Sequence, residues 1–238
     1  MLGIINRFRK NEKQKKFFRD LRSFKALTNN RFSINDKDIK ACLNDATATT
    51  GFDAHYVYHP AWASRILRQI NPVKHIDISS TLNFCTQLSA FIPVDFYDYR
   101  PAALTLSNLN SMRGDLTALP FAESSIESIS CMHTIEHIGL GRYGDPIDPD
   151  GDIKAVKELK RVIAPNGNLL FVVPIGKPRI QFNAHRIYSF EMIEQLFPEF
   201  ELRNFSLVTD NNEFIWEADT ALVSKQKYGC GCFWLVKK

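Results

Sequence analysis

From residue 73 to the end, short apolar runs alternate with amphipathic stretches, and this alternation constrains the fold of the 238-residue chain more than any other feature. VKHIDI (73–78), FIPVDFYD (91–98), SIESISCMH (125–133) and NLLFVVP (168–174) read as strands. Pro93 confines the first half of the second run to an edge or entry position, because proline has no ladder donor. A further strand falls near 103–106 or 110–113, and two more near 201–209 and 228–236. Between them, residues 82–89 suit a brief helix with Phe84 and Leu88 four apart. Residues 153–163 place Ile153, Val156, Leu159 and Val162 on one helical face, Pro165-Asn166-Gly167 makes a turn, and Ser189 caps a helix over 189–197. Alternation of this kind predicts an α/β, Rossmann-like fold: a mostly parallel sheet covered by helices on both faces.

Upstream, HPAWASRILRQINP (59–72) reads as a helix with Pro60 in its first turn and Asn71-Pro72 as its stop. Residues 36–46 suit a shorter one, with Ile39, Cys42, Leu43 and Ala46 on one side. Before these lies a basic arm. Residues 1–25 hold nine Lys/Arg against two acids, a local +7 that leaves −3 for the remainder of a chain whose net charge is +4. The arm interleaves these bases with Ile4, Ile5, Phe8, Phe17, Phe18, Leu21 and Phe24, and Phe17, Leu21 and Phe24 share one helical face. The expected organisation is an amphipathic basic arm (1–35) and a single α/β domain (36–238); the arm either lies on an anionic membrane surface or is a helix packed on the domain with a solvated basic face, or a frayed terminus. The mildly acidic body argues against a nucleic-acid partner. Five scattered cysteines, an odd number, suggest free thiols and a cytoplasmic protein, one that the arm could bring to the inner membrane face. Cys230 and Cys232 read as same-face residues of the last strand, and their spacing is not that of a zinc pair.

In such folds the ligand lies beyond the carboxyl ends of the strands, where strand order reverses. Asp77 ends the first strand, and Asp98 ends the second 21 residues later, where a carboxylate can accept both hydroxyls of a ribose. Further along come Gly114-Asp115, Leu119-Pro120-Phe121, Glu136-His137, Glu158 with Arg161-Val162-Ile163, and Pro165-Asn166-Gly167. In that order these motifs resemble class I S-adenosylmethionine-dependent methyltransferases, over roughly residues 73–200. YVYHPAW (56–62), HIGLGRYGD (137–145), AHRIYS (184–189) and GCGCF (229–233) resemble an uncharacterised branch of that superfamily. The resemblance implies seven strands with the last antiparallel, and S-adenosyl-L-methionine as the cofactor. It implies that Asp77 organises the cofactor loop, Asp98 holds the ribose, Asp115 and Leu116 the adenine, and that His133 and Thr134 flank the cofactor.

The loop after the first strand departs from that pattern. Ser79 and Thr81, on either side of Ser80, stand where the superfamily has glycines, which permit positive φ and leave room for a ligand. A serine at negative φ costs little there, whereas positive φ stores about 1 kcal/mol or more. Methyl transfer to a hydroxyl needs in-line positioning and a base. His137 is the first candidate base, with Glu136 and His185 beside it, while Arg186, Tyr188 and Tyr143 are candidates to touch a polar or anionic substrate. The loop 139–152 does not meet the ligand spacing of a calcium hand and reads as a gating loop with Asp152 capping the next helix, so no metal site is expected. The function these residues suggest is O-methylation of a small or sugar-based acceptor, as in surface-glycan biosynthesis. The serine-rich loop supports an alternative, a non-catalytic methyltransferase-like scaffold.

Overall fold

The computed structural model describes residues 2–27 and 31–238, with side chains from residue 12 onward. The chain divides into two compact units, residues 1–52 and 53–238.

In the first unit, α1 (Leu2–Leu27) is one long helix. Phe18 and Phe24 are exposed, and Phe17 and Leu21 are half-buried. Ile4, Ile5 and Phe8 of the expected apolar face lie outside the described side chains. Residues 36–46 do not form the expected helix; only a 3₁₀ turn, Asp36–Asp38, is present. None of Ile39, Cys42, Leu43 or Ala46 is buried, and a short helix with no face to bury is marginal in water. Among the described residues no helix is long and apolar enough to cross a membrane.

The second unit opens with α2 (Ala54–Ile70), capped by the Asp53 carboxylate, which accepts from Tyr56 N. Pro60 therefore sits inside the helix and not in its first turn. Trp62 and Ile66 are buried, and the Trp62 indole donates to Asn204 Oδ1 at 3.0 Å. The strands follow: β1 (His75–Ile78), β2 (Val94–Asp98), β3 (Leu109–Arg113), β4 (Ile126–Met132) and β5 (Ile163–Ile175). A hairpin of β6 (Arg179–Gln181) and β7 (His185–Ile187) stands apart, and β8 (Phe200–Val208), β9 (Phe214–Ile215) and β10 (Gly229–Lys237) complete the main sheet. Helices α3 (Leu82–Leu88), α4 (Gly151–Val162) and α5 (Phe190–Leu196) connect them.

The main sheet runs β3-β2-β1-β4-β5-β10-β8-β9. Strands β1 to β5 pair in parallel, and β10 inserts antiparallel between β5 and β8. The antiparallel last strand is as expected; the number of strands is eight and not seven, because the two-residue β9 adds to the β8 edge. Both faces of β5 are covered. Leu169, Phe171 and Val173 join the α4 and α5 side with Val156, Leu159 and Ile193, while Leu170 and Val172 join the α2 and α3 side with Trp62, Leu67 and Phe84. Period-two alternation thus feeds two cores, and each fully buried Leu or Phe contributes about 1.5–3 kcal/mol.

One polar chain crosses this interior. Asp77 Oδ2 accepts from Ser130 Oγ, so that oxygen accepts from His75 Nε2 at 2.8 Å. His75 Nδ1 is left to accept from Ser128 Oγ at 2.8 Å, and the ring is a neutral Nε2–H tautomer. Burial pushes His75 down to about 3. The unfolded chain takes up this proton near pH 6.5. Stability is therefore fully present above about pH 6.5 and is lost as pH falls toward 3, at up to about 1.4 kcal/mol per unit. Denaturant titrations between pH 7 and 4 should show this slope, and His75→Gln should flatten it.

Candidate active site

The chain leaves β1 through Ser79, Ser80 and Thr81. Asp77 is fully buried beneath this loop; its Oδ1 accepts from Ser80 N at 3.0 Å, while burial raises its pKa against the hydrogen bonds from Ser130 and Ser80. Ser80 Oγ accepts from Met132 N at 3.2 Å and ties the loop to β4. Thr81 caps α3 with φ −95°, accepting from Phe84 N. Of the two residues at the expected glycine positions, only Ser79 takes a positive φ, 53°. That conformation costs roughly 1–2 kcal/mol, partly offset by two bonds to Tyr97 O, from Ser79 N at 2.8 Å and Ser79 Oγ at 3.1 Å. The hydroxyl is thereby held on β2.

Beyond the loop lies a cleft of about 280 Å³ at the carboxyl ends of the parallel strands. Ser79, Asp98, Asp115, Leu116, His133 and Thr134 line it; Asp77, Ser80 and Thr81 support it from outside. Asp98 Oδ1 accepts from Arg100 N at 2.7 Å, and Asp115 Oδ1 accepts from Thr117 N at 2.8 Å. Tyr143 lies at the same cleft, with the Arg100 guanidinium 4.7 Å and that of Arg142 5.1 Å from its ring centre.

The loop carrying Tyr143 is a folded structure. Gly139, at φ 80°, lies where a Cβ would stand 2.0 Å from Asp148 O. The Asp145 carboxylate gathers the N–H groups of Gly139 at 2.7 Å and Tyr143 at 3.2 Å. Three expectations are corrected at its base. Arg186 is buried and does not face a substrate: it donates to Ile138 O at 2.6 Å and Pro149 O at 3.0 Å, and its Nε lies 3.5 Å from Asp152 Oδ1. Tyr188 is also buried, its hydroxyl donating to Asp152 Oδ2 at 3.0 Å. Asp152 is therefore a brace within α4 and not its cap; Asp150 holds the cap position. A guanidinium is costly to bury unpaired, so these groups satisfy one another and the loop carbonyls.

A second cavity, about 480 Å³, adjoins the cleft; His133 and His137 line both. Tyr56, Glu136, Arg142, His185 and Tyr228 complete most of its wall. His137 Nδ1 donates to Ala184 O at 2.5 Å, so the neutral ring carries its lone pair on Nε2, 3.7 Å from Glu136 Oε1. Glu136 Oε1 also accepts from His133 Nδ1 at 2.9 Å. The His185 ring lies 6.3 Å from that of His137, and burial lowers its pKa. Burial, then the Glu136 charge, pushes Tyr56 and Tyr228 up to about 12, so both keep their protons.

Sequence reasoning assigned no role to His55, Tyr56, His59 or Tyr228. A signal was present. The segments 56–62, 137–145, 184–189 and 229–233, which resemble the narrower branch, all contribute to this second cavity or its immediate surroundings; Tyr56 and His59 lie within them, and His55 and Tyr228 immediately precede them.

A sheet of this order, doubly covered, with an antiparallel strand inserted beside β5 and a ligand cleft at its carboxyl edge, defines the fold of class I methyltransferases. Residues 62–171 match the family described as a methyltransferase domain. Residues 118–228 match a narrower branch, described as Caenorhabditis protein of unknown function, DUF268. No curated protein matches the sequence. Similar solved structures include a 1,6-didemethyltoxoflavin-N1-methyltransferase of Burkholderia thailandensis, determined with 1,6-didemethyltoxoflavin and S-adenosylhomocysteine. It is 12% identical, with 76% of this chain and 79% of that chain covered and a TM-score of 0.55. The YcgJ protein of Bacillus subtilis is also 12% identical, with 76% and 98% covered and a TM-score of 0.53. At these identities the likeness is one of fold.

Proposed function

We propose that residues 53–238 form an S-adenosylmethionine-dependent methyltransferase that methylates a hydroxyl of a small, sugar-like acceptor. The observation that carries this reading is the pair of adjoining cavities with His137 in the wall they share. In this reading Asp98 accepts the ribose hydroxyls, and Asp115 and Leu116 flank the adenine. Ser79, His133 and Thr134 border the remainder of the cofactor, and Asp77, Ser80 and Thr81 hold the loop that presents Ser79. The residues fit such a ligand. Asp98 ends β2 at the cleft, and the Ser79 hydroxyl is spent on Tyr97 O and leaves the cleft open.

When bound, the cofactor supplies an electrophilic methyl group. The acceptor lies in the second cavity, against the Tyr56 and Tyr228 rings and within reach of His185. The methyl group would leave with cleavage of its bond to the sulfonium sulfur, releasing S-adenosylhomocysteine; His137 Nε2 would take the acceptor hydroxyl proton, and the buried Glu136 carboxylate would stabilise the resulting imidazolium. Much of the acceleration comes from holding the two reactants in line.

The scaffold reading draws on Ser79, whose φ of 53° is the strained case at a glycine position. Calorimetry separates the two. An enzyme of this kind binds one equivalent of S-adenosylhomocysteine; no heat of binding at millimolar ligand would leave the scaffold as the better account.

A further inference from the structure

Buried polar atoms in folded proteins are almost always hydrogen-bonded, and each exception calls for an explanation. Among the described residues five buried side-chain atoms have no partner, and four of them belong to one neighbourhood: His59 Nε2, His133 Nε2, Glu136 Oε2 and His185 Nε2. His133, Glu136 and His185 line the second cavity, and the His59 ring centre is 5.2 Å from that of His133. The donor atoms of His55, His133 and Cys230 lie within 4.8 Å of one another in the same place. His133 itself has a positive φ of 54°, a conformation that a non-glycine residue adopts at a cost and that recurs at functional sites.

We infer that His55, His133 and Cys230 form a binding site for a zinc-class divalent ion, with Glu136 orienting His133 from behind. The donor types match: one thiolate and two imidazoles suit a borderline-soft ion, and three protein ligands with an open fourth position are the pattern of catalytic zinc. The outer shell matches as well. Glu136 Oε1 accepts from His133 Nδ1 at 2.9 Å, which fixes the tautomer and leaves Nε2, the atom without a partner, as the donor. Ligand bonds of about 2.0–2.3 Å in a tetrahedron place donors roughly 3.4–3.6 Å apart, so the site closes by drawing its members in by about 1 Å. His55 can make that movement: it is only half-buried, on the first turn of α2, and its ring is stacked between those of His133 and Tyr228 at 5.3 and 5.1 Å. The donors come from three distant segments, so an ion would clamp α2 and the end of β4 to β10.

The site shares His133 with the wall of the proposed cofactor cleft, but it has its own readout. The full chain, purified under a reductant that does not chelate metal, should carry about one equivalent of zinc. Replacement by cobalt should produce visible d–d bands together with a near-ultraviolet thiolate-to-cobalt charge-transfer band. Cys230→Ser should abolish the charge-transfer band, and His55→Ala should weaken cobalt binding at least tenfold with the circular dichroism spectrum retained. Cys42→Ser, at an exposed cysteine outside the site, should change neither. Absence of both zinc and a cobalt spectrum in the parent protein overturns the inference, as does a charge-transfer band that survives Cys230→Ser. S-adenosylhomocysteine calorimetry on the same sample reports on the methyltransferase reading separately.

Discussion

Asp98→Ala lowers S-adenosylhomocysteine affinity by roughly tenfold to a hundredfold. A hydrogen bond to a charged group contributes about 1.5–3 kcal/mol, and each 1.4 kcal/mol is a factor of ten. The carboxylate ends β2 at the cleft and already accepts from Arg100 N through Oδ1. Losing that turn bond costs about 1 kcal/mol of stability, which lowers the melting temperature by only a few degrees. Asp98→Asn keeps the turn acceptor and loses the charge, so its affinity should fall between the two. Equal affinity for the parent and the alanine variant, measured by calorimetry, would move the ribose away from β2 and remove the basis of the cofactor assignment.

His137→Ala slows turnover by about 10²- to 10⁴-fold, the range over which a positioned base contributes. S-adenosylhomocysteine affinity should change far less. The ring is held by Ala184 O through Nδ1, so only Nε2 is available for chemistry. His137→Gln tests this directly, because glutamine restores bulk and a donor but supplies no base, and turnover should stay low. His137→Ala also removes the donor to the part-buried Ala184 carbonyl, so kcat is compared at a temperature where both proteins are folded. A fall in kcat of less than tenfold would show that the proton leaves by another route.

The main elements were legible because local periodicity encodes them. Residues 168–174 alternate between two covered faces, and α4 repeats apolar residues at helical spacing, so both stand out without a partner. Residues 36–46 show the converse. Their apolar spacing is helical, but nothing buries that face. The candidate site was legible in part. Asp98, Asp115 and His137 lie in motifs with a fixed place relative to strand ends, and the structure brings them to the cleft. Arg186 and Tyr188 carry equally polar groups, yet Asp152 and the carbonyls of the loop claim them. Which partner a polar side chain finds depends on loops distant in sequence.

From the chain alone came the class of fold and the place of a ligand at the strand ends, which rest on neighbours within a few turns of the backbone, and, through the family resemblance, the serines at the glycine positions. The tertiary structure alone decided that Ser79 and not Thr81 takes positive φ, and that the Ser79 hydroxyl faces Tyr97 O. It also decided that Cys230 meets His133 and His55. That meeting follows from sheet order: β10 lies on one side of β5 and β4 on the other, so residues almost a hundred positions apart become neighbours. Strand order is set by burying two cores at once, a property of the whole chain that no short stretch of sequence contains.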